Sequence, residues 1–273
     1  MSKEGSSVYD AHNHLQDARL SAHFGEILRQ LDEVGLAHAV VNGTQESDWE
    51  QVLQLCVMDN RLLPSVGLHP WYVKQRSEHW KGNLERCLSS RKCGVGEIGL
   101  DRWMKDFDWE PQQEVFLWQL SLAAKSNLPV SIHCLEAWGR MLELLESNPL
   151  PKCGFLLHSY GGPAEMVPAF VKLGAYFSFS GYFAHERKGR QRDIFRKIPL
   201  ANILIETDAP DMLPPPELEA YRLEAGEGER APNNPANIGA IYEYFGKTLE
   251  VPLDRLKKQV KSNFESLFGP LLG

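Results

Sequence analysis

The chain has 273 residues, of which 43% are hydrophobic and 24% are charged, a balance typical of soluble folded proteins that excludes intrinsic disorder. Its 29 Lys and Arg residues against 36 Asp and Glu residues give a formal net charge of −7. Any binding to nucleic acid must therefore depend on a local basic surface. We find neither a secretory signal nor an apolar run of about 20 residues, so the sequence predicts no membrane association. We expect a single domain over residues 1–273.

The five cysteines are odd in number and scattered, and no two of them form a CxxC pair. This spacing indicates neither a disulfide framework nor a cysteine zinc site. His133 and Cys134 are adjacent, but neighbouring residues of a strand point to opposite faces, so they do not form a thiol nucleophile. Reduced thiols in a chain without a targeting segment predict a cytoplasmic protein, with the nucleus as the alternative.

Short apolar runs alternate along the chain with longer amphipathic segments. Most of these runs are continuously hydrophobic, as parallel strands buried on both faces are. The predicted strands are 8–11, 37–43, 63–68, 94–100, 128–134, 154–159, 175–181 and 203–207. The predicted helices between and after them are 24–34, 52–58, 112–125, 138–145, 165–173 and a pair within 237–268.

Eight strands that alternate with helices or long loops predict a parallel sheet closed into a (β/α)8 TIM barrel, an α/β fold. The rival architecture is an open doubly wound sheet. It is disfavoured because no GxGxxG or Walker-type glycine loop follows the first strand. The stretch 214–232 is rich in proline and glutamate, and we predict a long acidic loop there.

Histidines and carboxylates stand at the ends of several predicted strands. His12 and His14 form an HxH pair, whose side chains project to the same side of an extended backbone. Further donors close later apolar runs, where a polar group is costly unless it is used. These are Glu97, His133, His158 and Asp208. The alternative for each one alone is a hydrogen-bonded core histidine or a helix cap.

All strand ends of a barrel meet at one mouth, so the six side chains are expected to converge there. Nitrogen and carboxylate donors suit Zn, Mn, Mg or Fe, and six donors exceed the needs of one tetrahedral ion. A carboxylate that bridges two metal ions is the economical arrangement.

The segments DAHNHL, GLHP, GEIGLD, IHC, LHSYGG and ETDAP, in this order and spacing, resemble those of the TatD-type metal-dependent deoxyribonucleases, a branch of the amidohydrolase-like barrel hydrolases. The resemblance extends from Val8 to the C-terminal helices. It implies two divalent metal ions, Mg²⁺, Mn²⁺ or Zn²⁺. The first would be held by His12, His14, Glu97 and Asp208, and the second by Glu97, His133 and His158. It further implies that His69, in GLHP, lines the pocket and contacts a substrate phosphate.

The sequence departs from the family after ETDAP. Family members usually carry a short loop with Arg-Gly-Lys and then Asn-x-Pro. This chain has a longer acidic stretch that keeps only Arg230 and Asn233-Asn234-Pro235. The basic element that would contact a nucleic-acid phosphate is therefore reduced, whereas the metal-binding positions are filled.

The favoured function is a two-metal phosphodiesterase that acts on DNA ends or single strands, with Glu97 and Asp208 as catalytic residues. Asp208 can bind a metal and orient or deprotonate the attacking water. No GxSxG motif is present, which favours direct hydrolysis over a covalent route. No obligate protein partner is expected.

Two groups of side chains are candidates for binding the substrate. The basic run Arg187, Lys188, Arg190 and Arg192 would contact phosphates, or would form a solvated helix start. The aromatic residues Trp71, Tyr72, Trp103, Tyr182 and Phe183 would stack on unpaired bases, or would pack loops onto the barrel.

Two other functions compete with the nuclease. One is a barrel hydrolase of a small amide, lactone or phosphoester, which would have a small closed pocket instead of an open charged groove. The other is a binding protein that has lost catalysis, which is disfavoured because all six metal positions are filled.

Overall fold

The continuously apolar runs form the wall of a barrel. The computed structural model describes residues 7–104, 108–226, 228 and 230–272, and in it eight strands make one parallel sheet in chain order. The strands are β1 (Val8–Asn13), β2 (Leu36–Asn42), β3 (Leu62–Val66), β4 (Gly94–Asp101), β5 (Val130–Leu135), β6 (Phe155–Leu157), β7 (Ala175–Ser180) and β8 (Ile203–Glu206). Nearly every strand residue is buried, as expected when helices cover the outer face and side chains fill the interior.

The last strand returns to the first and nearly closes the barrel. The backbone N–H of Asp208 donates to the carbonyl of His12 at 3.0 Å. The buried carboxylate of Asp10 accepts hydrogen bonds from the backbone N–H of Thr207 at 3.0 Å and from its hydroxyl at 2.6 Å. The predicted (β/α)8 architecture is confirmed, and the open doubly wound alternative is wrong.

Ten helices are found in the described residues. They are α1 (Ala18–Ser21), α2 (Phe24–Glu33), α3 (Glu46–Met58), α4 (Trp80–Ser90), α5 (Trp109–Ser126), α6 (Trp138–Ser147), α7 (Val167–Lys172), α8 (Gly189–Phe195), α9 (Ile238–Thr248) and α10 (Leu253–Phe268). The last two pack over β1 and β8, where the hydroxyl of Tyr242 binds both backbone polar groups of Tyr9. Within the described ranges, no helix has the length and apolar character needed to cross a membrane.

The element bounds differ from the predicted ones for local reasons. Helix α3 begins six residues before the predicted start, because Gln45 and Asp48 form a capping box at its N-terminus. The predicted helix 165–173 divides into a 3₁₀ turn and the short α7, which has a proline in its first turn. The predicted loop 214–232 holds one 3₁₀ turn, Pro216–Leu218, and no other regular element among its described residues. The cysteines are free, as predicted.

Candidate metal centre

The six predicted donors converge at the C-terminal ends of the strands. Five of the eight strands contribute, because a parallel barrel brings the ends of all its strands to one mouth. His12 lies in β1 and His14 directly after it, Glu97 in β4, His133 in β5, His158 after β6 and Asp208 after β8. The structure therefore brings together every side chain that the sequence proposed as a metal ligand.

Glu97 lies at the centre of this cluster and is only 3% exposed. Its Oε2 atom is 3.3 Å from Nε2 of His12 and 3.2 Å from Nε2 of His14. Its Oε1 atom is 3.0 Å from Nδ1 of His133 and 2.8 Å from Nε2 of His158. The two oxygens of one carboxylate thus face two separate histidine pairs.

Asp208 lies beside the histidine pair that faces Oε2 of Glu97, His12 and His14. Its Oδ1 atom is 3.7 Å from Nε2 of His12 and 3.5 Å from Nε2 of His14. The residue has a left-handed backbone with φ of 52°, which aspartate tolerates better than most residues. We call His12, His14 and Asp208 around Oε2 the first half-site, and His133 and His158 around Oε1 the second half-site.

Close contact between β4 and β5 positions the second half-site. Gly99 pairs with His133 across these strands. A Cβ atom on Gly99 would lie 1.9 Å from the carbonyl oxygen of His133, so this approach requires glycine. The second glycine of GEIGLD is therefore required by the close approach of β4 to β5, which the sequence alone did not reveal.

His69 also lies beside Glu97, and a backbone hydrogen bond determines which of its ring nitrogens carries the proton. Its Nε2 atom is 3.3 Å from Oε1 of Glu97, and its Nδ1 atom accepts the backbone N–H of Trp71 at 3.1 Å. The ring proton must therefore be on Nε2, facing the centre. Burial lowers the pKa of His69 to about 4, so the ring is neutral at neutral pH. A neutral N–H donor at this point suits a substrate or water oxygen better than a metal ion.

Asp101 is a site residue that the sequence analysis missed. It is fully buried, and its Oδ2 atom is 3.0 Å from Nε2 of His133, the ring nitrogen that faces away from Glu97. The same oxygen accepts the indole N–H of Trp71 at 2.6 Å, and Oδ1 accepts the backbone N–H of Trp103 at 2.8 Å. A carboxylate in this position fixes the orientation of the imidazole and makes it a stronger ligand.

Glu206 is the second missed carboxylate, and it lies beneath His158. Its Oε1 atom is 3.7 Å from Nδ1 of His158, too far for a hydrogen bond, and the backbone N–H and hydroxyl of Ser159 bind the same oxygen. The ring of His12 stacks on that of His158 at 4.1 Å. Asp101 ends GEIGLD and Glu206 begins ETDAP, so both were within reach of sequence reasoning as second acids of motifs already singled out.

In the first half-site no carboxylate of the described residues binds the outer nitrogen of a histidine, although Glu206 lies within 4.8 Å of a ring nitrogen of His12 as well as of His158. Nδ1 of His14 is 2.8 Å from the backbone carbonyl oxygen of Asn42. Nδ1 of His12 is buried and has no hydrogen-bond partner among the residues that the structure describes. The two half-sites thus differ in what holds their rings.

Carboxylates and histidines at the centre shift one another's pKa values. Burial favours the neutral form of His14 and His158, yet the carboxylates beside them raise the pKa of each well above its ordinary value. Burial also works against the charge of Glu97, but His158 and the other surrounding histidines hold the pKa of its carboxyl well below its usual range. A buried cluster of carboxylates and imidazoles that draws protons onto its rings is suited to bind divalent cations in their place.

Ligand atoms within 4.8 Å of one another define three possible three-residue metal groups in the described chain. Two of them contain Glu97, one with His12 and His14 and the other with His69 and His133. The third combines His12, His158 and Glu206 beneath the centre. The hydrogen bond that fixes the proton of His69 on Nε2 argues against that ring as a ligand, whereas the other donors of the two half-sites fit divalent metal ions.

A cavity of about 590 Å³ opens above the centre. Its floor is formed by the metal-centre residues, and its side carries several amide, hydroxyl and aromatic groups. The remaining lining residues are Gln16, Asp17, Ala18, Arg19, Thr44, Gln45, Ser47, Asp48, Gln51, Trp71, Tyr72, Asp211 and Met212. Arg19 is the single Lys or Arg among the lining residues, and both Asp17 and Asp211 bind its guanidinium group. The cavity is therefore acidic before metal ions are counted.

The basic run that the sequence proposed for phosphate binding lies outside this cavity. Arg187 and Lys188 lie over the ring of Tyr182, at 5.3 and 4.9 Å from its centroid. Arg192 donates to the backbone carbonyls of Phe183 and His185 at 2.7 and 2.6 Å. Arg190 is exposed. Of the proposed aromatic residues, Trp71 and Tyr72 line the cavity, whereas Trp103, Tyr182 and Phe183 do not.

Known proteins of one family are similar to this chain along nearly its whole length. The family described as "TatD related DNase" matches residues 9–269. The Escherichia coli protein named uncharacterized metal-dependent hydrolase YjjV is 29% identical over 95% of this chain and 97% of its own length. The Edwardsiella piscicida protein named 3'-5' ssDNA/RNA exonuclease TatD is 30% identical over 93% of this chain and 96% of its own. The crystal structure of YjjV superimposes with a TM-score of 0.85 over 96% of this chain and 98% of that one. The family resemblance predicted from the motifs is thereby confirmed, and this chain belongs to the TatD related DNase family.

Proposed function

We propose that this protein is a two-metal phosphodiesterase that removes nucleotides from the ends of single-stranded DNA. The observation that carries the proposal is the placement of the two Glu97 oxygens, each of which faces its own set of histidines. A carboxylate so placed suits a bridge between two cations. His12, His14 and Asp208 would hold one ion, and His133 and His158 the other.

Two divalent ions held in this way would supply positive charge for a phosphoryl oxygen and lower the pKa of a water molecule. Asp208 lies at the edge of the first half-site and lines the cavity, so its carboxylate can orient the attacking water and accept its proton. The Nε2–H of His69 would donate a hydrogen bond to a phosphate oxygen, which becomes more negative as the bond to the leaving group breaks.

The cavity favours the end of a strand over a duplex. A volume of about 590 Å³ lies within the range of sites for small ligands and admits one or two nucleotides. Five of its lining side chains are carboxylates and one is a guanidinium, so the bound metal ions must provide the charge that attracts a phosphate. The relative named as a single-strand exonuclease supports this choice of substrate.

The test is a hydrolysis assay with Mg²⁺ or Mn²⁺ on three substrates of matched concentration: a single-stranded oligonucleotide, its blunt duplex and a small chromogenic phosphodiester. We expect successive single-nucleotide products from the single strand, slow hydrolysis of the duplex, and loss of both hydrolysis and oligonucleotide binding in excess EDTA. Binding of the oligonucleotide that survives in EDTA would contradict the role given to the metal ions.

A second candidate is a hydrolase of a small phosphoester. The observation that favours it is the acidic lining of the cavity and the position of the basic run outside it. In the same assay, a protein that hydrolyses the chromogenic ester but no oligonucleotide at low salt would replace the nuclease with this alternative.

A further inference from the structure

Two tryptophans are exceptions to the way this protein buries its large apolar rings. Trp71 and Trp103 are 47% and 69% exposed, whereas the other five of the seven tryptophans are buried or packed against the core. Leaving an indole ring open to solvent forgoes the free energy of burying a large apolar surface. Of the two exposed rings, Trp71 lines the cavity above the metal centre and Trp103 does not.

Trp71 is held at both of its N–H groups by residues of the centre. Its backbone N–H donates to Nδ1 of His69 at 3.1 Å, and its indole N–H donates to Oδ2 of Asp101 at 2.6 Å. The ring of Trp71 meets that of His69 edge to face at 5.1 Å and lies 6.3 Å from the ring of His133. Its plane is thus fixed next to the second half-site while nearly half of its surface stays open.

A fixed aromatic ring with an open face beside a phosphate-binding centre is suited to stack on a base. Stacking tolerates any base, because every base has a π face, and only an unpaired base offers that face. A ring that is already held in place also loses little conformational entropy on binding.

We propose that the exposed face of Trp71 binds the terminal nucleobase of the substrate strand while the adjacent phosphate lies at the metal centre. The inference rests on the proposed function, since it names the part of the nucleotide that this cavity wall recognises. It makes Trp71 a residue that selects unpaired ends over duplex ends.

A binding measurement tests the stacking without relying on hydrolysis. The metal-loaded protein is titrated with 2′-deoxyadenosine 5′-monophosphate and, separately, with 2-deoxyribose 5-phosphate, which lacks the base. We expect Trp71→Ala to weaken binding of the nucleotide by about 5- to 150-fold and to leave that of the sugar phosphate unchanged. Trp103→Ala is the matched control, because it removes an exposed indole outside the cavity, and it should change neither affinity.

Trp71→Phe separates stacking from the hydrogen bond to Asp101. It keeps an aromatic ring and removes the indole N–H, so we expect it to retain most of the preference for the nucleotide. Both variants could instead bind the nucleotide and the sugar phosphate equally weakly and also lose metal. Trp71 would then act through Asp101 and His133, and the stacking site would be overturned. Equal affinities of Trp71→Ala and wild type for the nucleotide would overturn it as well.

Hydrolysis of two oligonucleotides distinguishes a failure of this inference from a failure of the proposed function. One has an ordinary terminal residue and the other an abasic terminal residue, and we expect Trp71→Ala to raise KM for the first only. A wild-type protein that processes both ends equally well contradicts the stacking site and leaves the nuclease intact. A wild-type protein that cleaves neither, yet binds the nucleotide better than the sugar phosphate, supports the base site and contradicts the nuclease.

Discussion

The two half-sites share the carboxylate of Glu97, but their histidine rings have different hydrogen-bond partners. In the second half-site the outer nitrogen of His133 is bound by a buried carboxylate, Asp101, whereas the other buried carboxylate, Glu206, lies beneath the stacked rings of both His158 and His12. In the first half-site the outer nitrogen of His14 meets a neutral backbone carbonyl, that of Asn42. The carboxylate of the first half-site, Asp208, instead lies on the cavity side among the groups that would meet the substrate.

This difference indicates that the two half-sites have different roles in the reaction. A carboxylate behind an imidazole raises its basicity and holds its orientation, which strengthens a metal ligand without occupying space near the substrate. A carboxylate that faces the cavity can act on water. We therefore expect the second half-site to bind its ion mainly as a positioning charge, and the first to carry the proton transfer.

The largest expected effect is that of a change common to both half-sites. Glu97→Ala removes the oxygens that face both histidine pairs, so we expect kcat to fall by about 10³-fold or more. Steady-state hydrolysis of the small phosphodiester at saturating metal measures this, with thermal unfolding as a check that the barrel is intact. Turnover close to that of wild type would remove Glu97 from the centre.

Changes confined to one half-site should separate the two ions. His133→Ala should remove the ion of the second half-site and leave the other, so the metal content after gel filtration should fall by about one ion per chain. His14→Ala is the counterpart in the first half-site and should remove the other ion. An unchanged stoichiometry in either variant would show that its histidine is not a ligand.

The carboxylate that binds the outer nitrogen of His133 should give a smaller effect, confined to the second half-site. Asp101→Asn keeps the shape of the side chain but removes its charge, so we expect the affinity of the second half-site to fall by about 10- to 100-fold. Calorimetric titration with Mn²⁺ should show a weakened second step and an unaltered first step. Equal weakening of both steps would argue against the division between half-sites.

The smallest effect is expected far from both half-sites. Arg187, Lys188 and Arg190 remain a proposed contact for the following phosphates, and each contact to single-stranded DNA adds about −0.7 to the slope of log affinity against log salt. Replacement of Arg190 by Ala should flatten this slope by about 0.7, the value of one such contact, and leave hydrolysis of the small ester unchanged. An unaltered slope would identify a solvated surface. Arg192 is left out because it binds backbone carbonyls of its own loop.

The sequence was sufficient to predict the barrel and the convergence of the six side chains, because continuous apolar runs and polar strand ends are local patterns. It was not sufficient to predict the hydrogen bonds that orient His133 and His69. Whether Asp101 reaches His133 depends on the register of β4 against β5 and on a strand approach that only Gly99 permits. The proton position of His69 depends on a backbone N–H two residues later in a 3₁₀ turn. The placement of the basic run outside the cavity depends on how the loops after β7 fold, which no local pattern encodes.

The most direct test of the account is the location of the metal ions themselves. Crystals grown with Mn²⁺ and measured at its absorption edge would show each bound ion as an anomalous peak. We expect two peaks about 3.5–4 Å apart, one beside each oxygen of Glu97, with His12, His14 and Asp208 around the first and His133 and His158 around the second. A single peak, or a peak among His12, His158 and Glu206 beneath the centre, would contradict a bridging role for Glu97.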